Sequence, residues 1–153
     1  YFAAWDVRRA KIHGQCERKT GIAPFERLVE RVMEQEPYRS ARRVFWIMDN
    51  GSSHRGQSCV ARLAKRWPTI VAAHTPIHAS WLNQVEVYFS IIQRKVLTPG
   101  DFATLADLKN RLLQFQTYYE AAAKPFQWKF TRRDLAKLLS KLKAHGASLA
   151  KAA

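Results

Sequence analysis

Two acidic residues stand where a carboxylate can do chemistry. Asp49 closes the apolar run Val44-Phe45-Trp46-Ile47-Met48 and precedes the turn pair Asn50-Gly51, which puts it at the C-terminal tip of a buried strand. In open α/β sheets that tip is where ligands bind. Glu86 falls in a helix expected over Trp81 to Val96, two turns beyond Ser80 as N-cap. An Asp on a strand end and a Glu on a rigid helix can face one another. Magnesium asks a protein for little more than one or two such hard oxygen ligands, since water and substrate phosphates supply the rest. The chemistry nominated is phosphoryl transfer, which in its two-ion form holds the ions ~3.5 to 4 Å apart and uses a third carboxylate. Each acid also has a plainer reading. Asp49 can simply shape the turn before Asn-Gly, and Glu86 can lie on a solvated helix face.

Other polar residues cluster around these two. His54 follows Asp49 in the loop or first turn after the strand, placed to touch a substrate backbone, to move a proton, or merely to cap the next helix. On the Glu86 helix, Asn83, Glu86, Ser90, Gln93 and Arg94 form one stripe and Trp81, Val85, Phe89 and Ile92 another. The polar stripe can line a groove that holds metal first and phosphate backbone beyond it. His74 and His78 flank Pro76, but no cysteine or third histidine completes a zinc set.

Composition makes the substrate polyanionic. The 153 residues carry 26 Lys and Arg against 12 Asp and Glu, a formal charge of +14, with a pI near 10.3. Nucleic acid is the first partner such a balance implies. Contacts to it are expected from His54, Asn83, Arg94 and Lys95, and from Lys129, Arg132 and Arg133, with Lys137, Lys141 and Lys143 nearby. The interleaved Tyr88, Phe126, Trp128 and Phe130 read as core rather than as base-stacking platforms. Apolar runs fall far short of the ~20 residues a spanning helix needs, so no membrane partner is expected. No small-molecule cofactor is expected either. Cys16 and Cys59 are isolated, which argues against zinc and disulfides and fits a reducing cytoplasm. No secretory signal is expected, because the apolar segment from Tyr1 to Trp5 has no basic lead-in.

The elements that must position these residues follow from periodicity and punctuation. Tyr1 to Val7 and Lys11 to Arg18 read as an antiparallel hairpin turning over Arg8 to Ala10. A helix over Ala23 to Glu36 buries Phe25, Leu28, Val29 and Val32 and stops at Pro37. Strand Val44 to Met48, helix Gln57 to Arg66 and strand Thr69 to Ala73 form a parallel unit with a right-handed crossover. Beyond the Glu86 helix, Pro99-Gly100-Asp101 marks a turn, and helices are expected over Leu105 to Ala123 and Thr131 to His145, the last with Gly146 as its C′ residue. Residues 1–153 thus read as a single α/β domain.

Two stretches carry a family resemblance. MDNGSSH, from Met48 to His54, and HTPIHASWLNQVEVYFSIIQRKVL, from His74 to Leu97, resemble the catalytic domain of DDE transposases, in the insertion-sequence-630 branch related to mariner elements. PFQWKFTRRDLAKLL, from Pro125 to Leu139, is similar to that family's C-terminal end, and FAAWDVRRAKIHGQ, from Phe2 to Gln15, to its early hairpin. The resemblance implies an RNase H-like fold, a mixed sheet with helices on both faces and a helical C-terminal part. It implies three acids that bind two magnesium (or manganese) ions, cleave transposon ends and join the freed 3′ hydroxyl to target DNA. Asp49 matches the second acid and Glu86 the third. The first sits on an opening strand upstream of the segment resembled by FAAWDV, so the chain is expected to lack that strand and that acid and to be inactive, or nearly so, by itself. Asp6, on the same count, is a strand-end or turn residue rather than a replacement ligand. The absent strand would lie centrally, between the hairpin and Val44 to Met48. A homodimer holding two DNA ends is expected of the family, in a bacterial, nucleoid-associated cytoplasmic setting. The alternative is a non-catalytic DNA-binding or interaction module derived from a transposase.

Overall fold

The computed structural model describes residues 1–76, 82–126, 131–134, 136, 137 and 140. Its elements run in the order β1 (Phe2–Asp6), β2 (Lys11–Gln15), α1 (Ile22–Met33), β3 (Val44–Met48), α2 (Gly56–Arg66), β4 (Ile70–His74), α3 (Val85–Lys95) and α4 (Leu105–Ala122). The expected hairpin forms, with Phe2 opposite Gln15 and Asp6 opposite Lys11. The expected crossover forms too, with β3 and β4 parallel and Val44 opposite Ile70.

The period of two in β1 sends its side chains into two different cores. Phe2 and Ala4 pack on the cluster of Phe25, Val29, Val32 and Met33 from α1 with Trp46, Met48, Cys59, Leu63 and Ile70. Tyr1, Ala3 and Trp5 pack on Ile12 of β2, on Tyr88, Ile92 and Val96, and on Leu112 of α4. The hairpin therefore has helices on both faces, α1 on one side and α3 with α4 on the other. Side chains of α4 also cover the outer edge of β2: the Ile12 N–H donates to Glu120 Oε1 (2.8 Å) and the Ile12 carbonyl accepts from Gln116 Nε2 (3.0 Å).

Two expectations need correction. The expected mix of strands and helices forms, but its strands do not make one mixed sheet: among the described residues β1–β2 and β3–β4 are separate two-stranded sheets, divided where the resemblance placed the absent strand. Nor do helices cover both faces of the second sheet. Trp46 and Met48 are buried, while Phe45 (66% exposed), Ile47 (52%) and Val71 (37%) lie on its open face. The pleat that buries every second residue must present the others outward, and among the described residues no helix packs on that side, so β3 is half-buried rather than enclosed. Among the described residues both sheets keep one unpaired edge, β1 in the first and β3 in the second. Their residues line opposite parts of one cavity of about 1150 Å³.

Of the four helices α1 to α4, α4 has a side-chain cap at its start and α1, α2 and α3 have none. In α4 the Thr104 hydroxyl accepts from the Asp107 N–H (3.1 Å) and the Asp107 carboxylate accepts from the Thr104 N–H (3.0 Å), a reciprocal cap. The same device at Thr131 and Asp134 opens a helical turn where the last helix was expected to start. The remainder of that helix, with Lys141 and Lys143, and the residues His78, Ser80, Trp81, Trp128, Lys129 and Phe130 lie outside the described residues. No helix among the described residues is long and apolar enough to cross a membrane. Cys16 and Cys59 are both free thiols.

Candidate metal centre

Asp49 lies one residue past β3, and its loop is tied to the end of β4. The Thr75 N–H donates to the Met48 carbonyl (2.7 Å), and Asn50 Nδ2 donates to the Thr75 carbonyl (2.9 Å). Within the loop the Gly51 N–H reaches Asp49 Oδ1 (3.3 Å), and His54 Nε2 lies 2.5 Å from the same oxygen. An ionised carboxylate can only accept, so the proton sits on Nε2, and in the neutral ring Nδ1 accepts from the Ser53 hydroxyl at 2.9 Å. The imidazole stacks on Phe25, 4.8 Å between centroids, and the His54 carbonyl accepts from His74 Nε2 at 2.6 Å. A Cβ on Gly51 would come within 2.8 Å of the His54 ring, so only glycine lets the imidazole close over the loop. Burial pushes the Asp49 carboxyl up, but the hydrogen bonds from His54 and from the Gly51 N–H outweigh it and hold the group below its ordinary value.

Glu86 approaches from α3. The helix was expected to begin at Trp81, with Glu86 two turns in; it begins at Val85, with Gln84 as N-cap. The Asn83 and Gln84 carbonyls accept from the Glu86 and Val87 N–H groups, tight i to i+3 bonds that lead into the helix. Asn83 is a poor helix interior residue and turns the chain instead. Glu86 thereby occupies the first turn. Its carboxyl is pushed above the usual range, first by burial and then by the negative charge of Asp49. Two carboxylates that feel one another, half-buried in a shared cavity, form a site that a divalent cation relieves. Their oxygen chemistry fits such an ion, with water and phosphate completing its shell. Among the described residues no acid, histidine or cysteine brings the set to three.

The other residues singled out by the sequence divide into three groups. Asn83 lines the same cavity as Asp49, His54 and Glu86. Arg94 and Lys95 are exposed in the last turn of α3, about 12 Å along the axis from Glu86 at 1.5 Å per residue, so they border the carboxylates rather than join them. Arg132 and Arg133 are exposed just after the Thr131 cap.

Asp6 is engaged elsewhere. Its Oδ2 accepts from the Tyr38 hydroxyl (2.6 Å) and its Oδ1 from the Arg8 and Arg9 N–H groups (2.9 and 3.0 Å), so it shapes the hairpin turn. The Tyr38 hydroxyl is also 3.1 Å from Nε2 of the buried His13, whose pKa falls to about 4 through burial and the nearby Lys11, Arg31 and Arg9 charges.

Three contributors escaped the sequence reading: Ser53, Gly51 and Phe25, all of which act on His54. The Ser-His adjacency in NGSSH was the available signal for the first; the other two needed the folded loop.

A family model described as DDE superfamily endonuclease matches residues 1–109. Searches of curated proteins and of solved structures returned no match. The matched span contains β1 through α3, and with them Asp49, His54 and Glu86. The chain belongs to the DDE superfamily endonuclease family.

Proposed function

We propose that residues 1–153 are one RNase H-like catalytic domain of a DNA transposase of the insertion-sequence-630 branch, acting on transposon ends and target DNA as a homodimer. The observation that carries this reading is the pairing of Asp49 on a strand tip with Glu86 on a helix, close enough for the charge of one to raise the pKa of the other. Asp49 and Glu86 would hold magnesium or manganese, which when bound polarises the scissile phosphate and activates the attacking oxygen.

The protein's own part is orientation. His54 and the Gly51 N–H both bind Asp49 Oδ1, and Oδ2 accepts no hydrogen bond from another described residue, so one oxygen is held and the other is presented. Asn83 lines the same cavity as Asp49, and Arg94, Lys95, Arg132 and Arg133, with Lys129, would offer charge to the flanking phosphates. The net charge of +14 concentrates polyanions near the site.

A second reading, a DNA-binding module without catalysis, is supported by the set stopping at two among the described residues, one carboxylate short of what two-ion chemistry uses. Manganese titration with a thermal-shift readout, run beside nicking of supercoiled plasmid, tests both. The catalytic reading expects manganese binding at least tenfold weaker in Asp49→Ala and in Glu86→Ala. Affinity unchanged in both variants, with DNA binding intact, would leave the second reading standing.

A further inference from the structure

We propose that His54 sets the ion specificity of the Asp49–Glu86 pair: by engaging Asp49 Oδ1 it leaves one carboxylate oxygen for the ion, which suits magnesium or manganese and disfavours calcium. The inference rests on the reading of that pair as a metal centre and gives a role to a side chain that does not itself touch the ion. Oδ1 takes two hydrogen bonds, from His54 Nε2 at 2.5 Å and from the Gly51 N–H at 3.3 Å, so both of its lone pairs are engaged.

The imidazole is braced against moving aside. Ser53 Oγ lies 2.9 Å from Nδ1, the His54 carbonyl accepts from His74 Nε2 at 2.6 Å, and the ring rests on Phe25, a member of the core beneath β3. Gly51 closes the remaining side, where a Cβ would sit 2.8 Å from the ring Cε1 and 2.9 Å from Nε2. A donor fixed in this way competes with an ion for Oδ1, whereas a solvated one would yield to it.

Ions differ in what they ask of a carboxylate. Magnesium keeps a near-octahedral shell with several waters and takes one oxygen from each carboxylate, and manganese shares that octahedral oxygen pattern. Calcium is larger, takes about six to eight oxygens and gathers them readily by chelating both oxygens of one carboxylate. Chelation at Asp49 would break the His54 bond and leave a half-buried N–H without its acceptor. Glu86 carries no such restriction, since burial and the Asp49 charge act on its carboxyl and no hydrogen bond does. Discrimination between the ions therefore falls on Asp49 and its histidine partner.

Calorimetric titration of manganese and of calcium, each alone, into wild type, His54→Ala and His54→Gln tests this. Comparing the two ions within each protein yields a ratio, which a merely structural role would leave unchanged because both affinities would fall together. The manganese-to-calcium affinity ratio is expected to drop roughly tenfold in His54→Ala through tighter calcium binding, and to stay within about twofold of wild type in His54→Gln, whose amide N–H can still donate to Oδ1. An unchanged ratio in His54→Ala, beside ion binding that is lost in Asp49→Ala, would overturn this proposal alone. A drop caused only by weaker manganese binding would make His54 a ligand and overturn it too. No saturable binding by wild type, or binding that survives Asp49→Ala, would sink the metal-centre reading and this proposal with it.

Discussion

His54 Nε2 lies 2.5 Å from Asp49 Oδ1, and Ser53 Oγ lies 2.9 Å from Nδ1 of the same ring. One side chain thus connects a loop hydroxyl to the carboxylate at the strand tip. The pair is half-buried, with 18% of the His54 side chain and 32% of the Asp49 side chain open to solvent. That geometry makes His54 the positioning residue for Asp49 and separates the two carboxylates in behaviour, one held below its ordinary pKa and the other above it.

Replacing His54 by Ala removes the interaction that does most to hold the Asp49 pKa down. A carboxylate whose folded pKa is depressed contributes stability above its unfolded value of ~3.9, and that stability is lost as pH falls through the folded value. In the variant the acid loss attributable to Asp49 shrinks. The wild-type advantage is on the order of 1 kcal/mol at neutral pH, discounted for the open third of the pair, and fades below about pH 4. Urea unfolding from neutral pH to about pH 3 reads this directly; parallel stability curves for the two proteins would refute it.

Glu86 has the opposite sign. Its raised folded pKa means the native state binds more protons than the unfolded one between the two values, so stability falls as pH rises through that window. Glu86→Gln is therefore expected to stabilise the metal-free protein by up to about 1 kcal/mol, roughly 2 to 4 °C in Tm for a chain of this size. The same substitution should abolish any thermal shift produced by manganese. A variant that is less stable without metal would contradict the carboxylate repulsion.

The loop around Asp49 depends on Gly51. In Gly51→Ala the new methyl group meets the far end of the His54 ring at 2.8 Å, and a rotating imidazole relieves the contact more readily than backbone does. The expected result is His54 displaced from Asp49 with a modest stability loss of about 1 kcal/mol, and no further loss when His54→Ala is added. Additive losses in the double variant would place the strain elsewhere.

Most elements were legible because their signals are local. The apolar run at Val44 to Met48 and the Pro37 stop after α1 gave strand and helix within a few residues of their true ends. The placement of Asp49 at a strand tip and of Glu86 on a helix was legible for the same reason, each tied to a strong element. The start of α3 was not, since Asn83 and Gln84 spend their carbonyls on a tight turn that Trp81-Leu82 patterning does not reveal. Separation of the sheet into two pairs could not be read from strand periodicity, because pairing is a long-range property. The Phe45–Ile47 face looked buried because hydrophobicity reports what a residue prefers, not whether another element covers it.

Gly14 is fixed by a side chain far away in sequence. Tyr1 lies across it and donates from its hydroxyl to Gln116 Oε1 (2.8 Å), so a Cβ at position 14 would collide with both the Tyr1 ring and Gln116. Gly14→Ala is expected to cost about 1 to 3 kcal/mol through overpacking. Adding Tyr1→Ala should recover part of that loss. If the double variant is as unstable as the sum of the singles, the clash is not with Tyr1.

Arg94 and Lys95 are exposed at the end of the helix that begins beside Glu86, and on the proposed function they neutralise phosphates along bound DNA. Each phosphate contact releases counterions and contributes about 0.7 to 0.9 to the slope of log affinity against log salt, depending on whether the DNA is single- or double-stranded. Replacing both residues with Ala should therefore flatten that slope by about 1.4 to 1.8 while leaving the Asp49–His54 contact and manganese binding unchanged. The comparison is best made by fluorescence anisotropy of a labelled duplex over a range of salt concentrations, because affinity at one salt cannot separate lost phosphate contacts from a misfolded helix. An unchanged slope with weaker binding would assign Arg94 and Lys95 to the stability of α3 and move the phosphate track to another face.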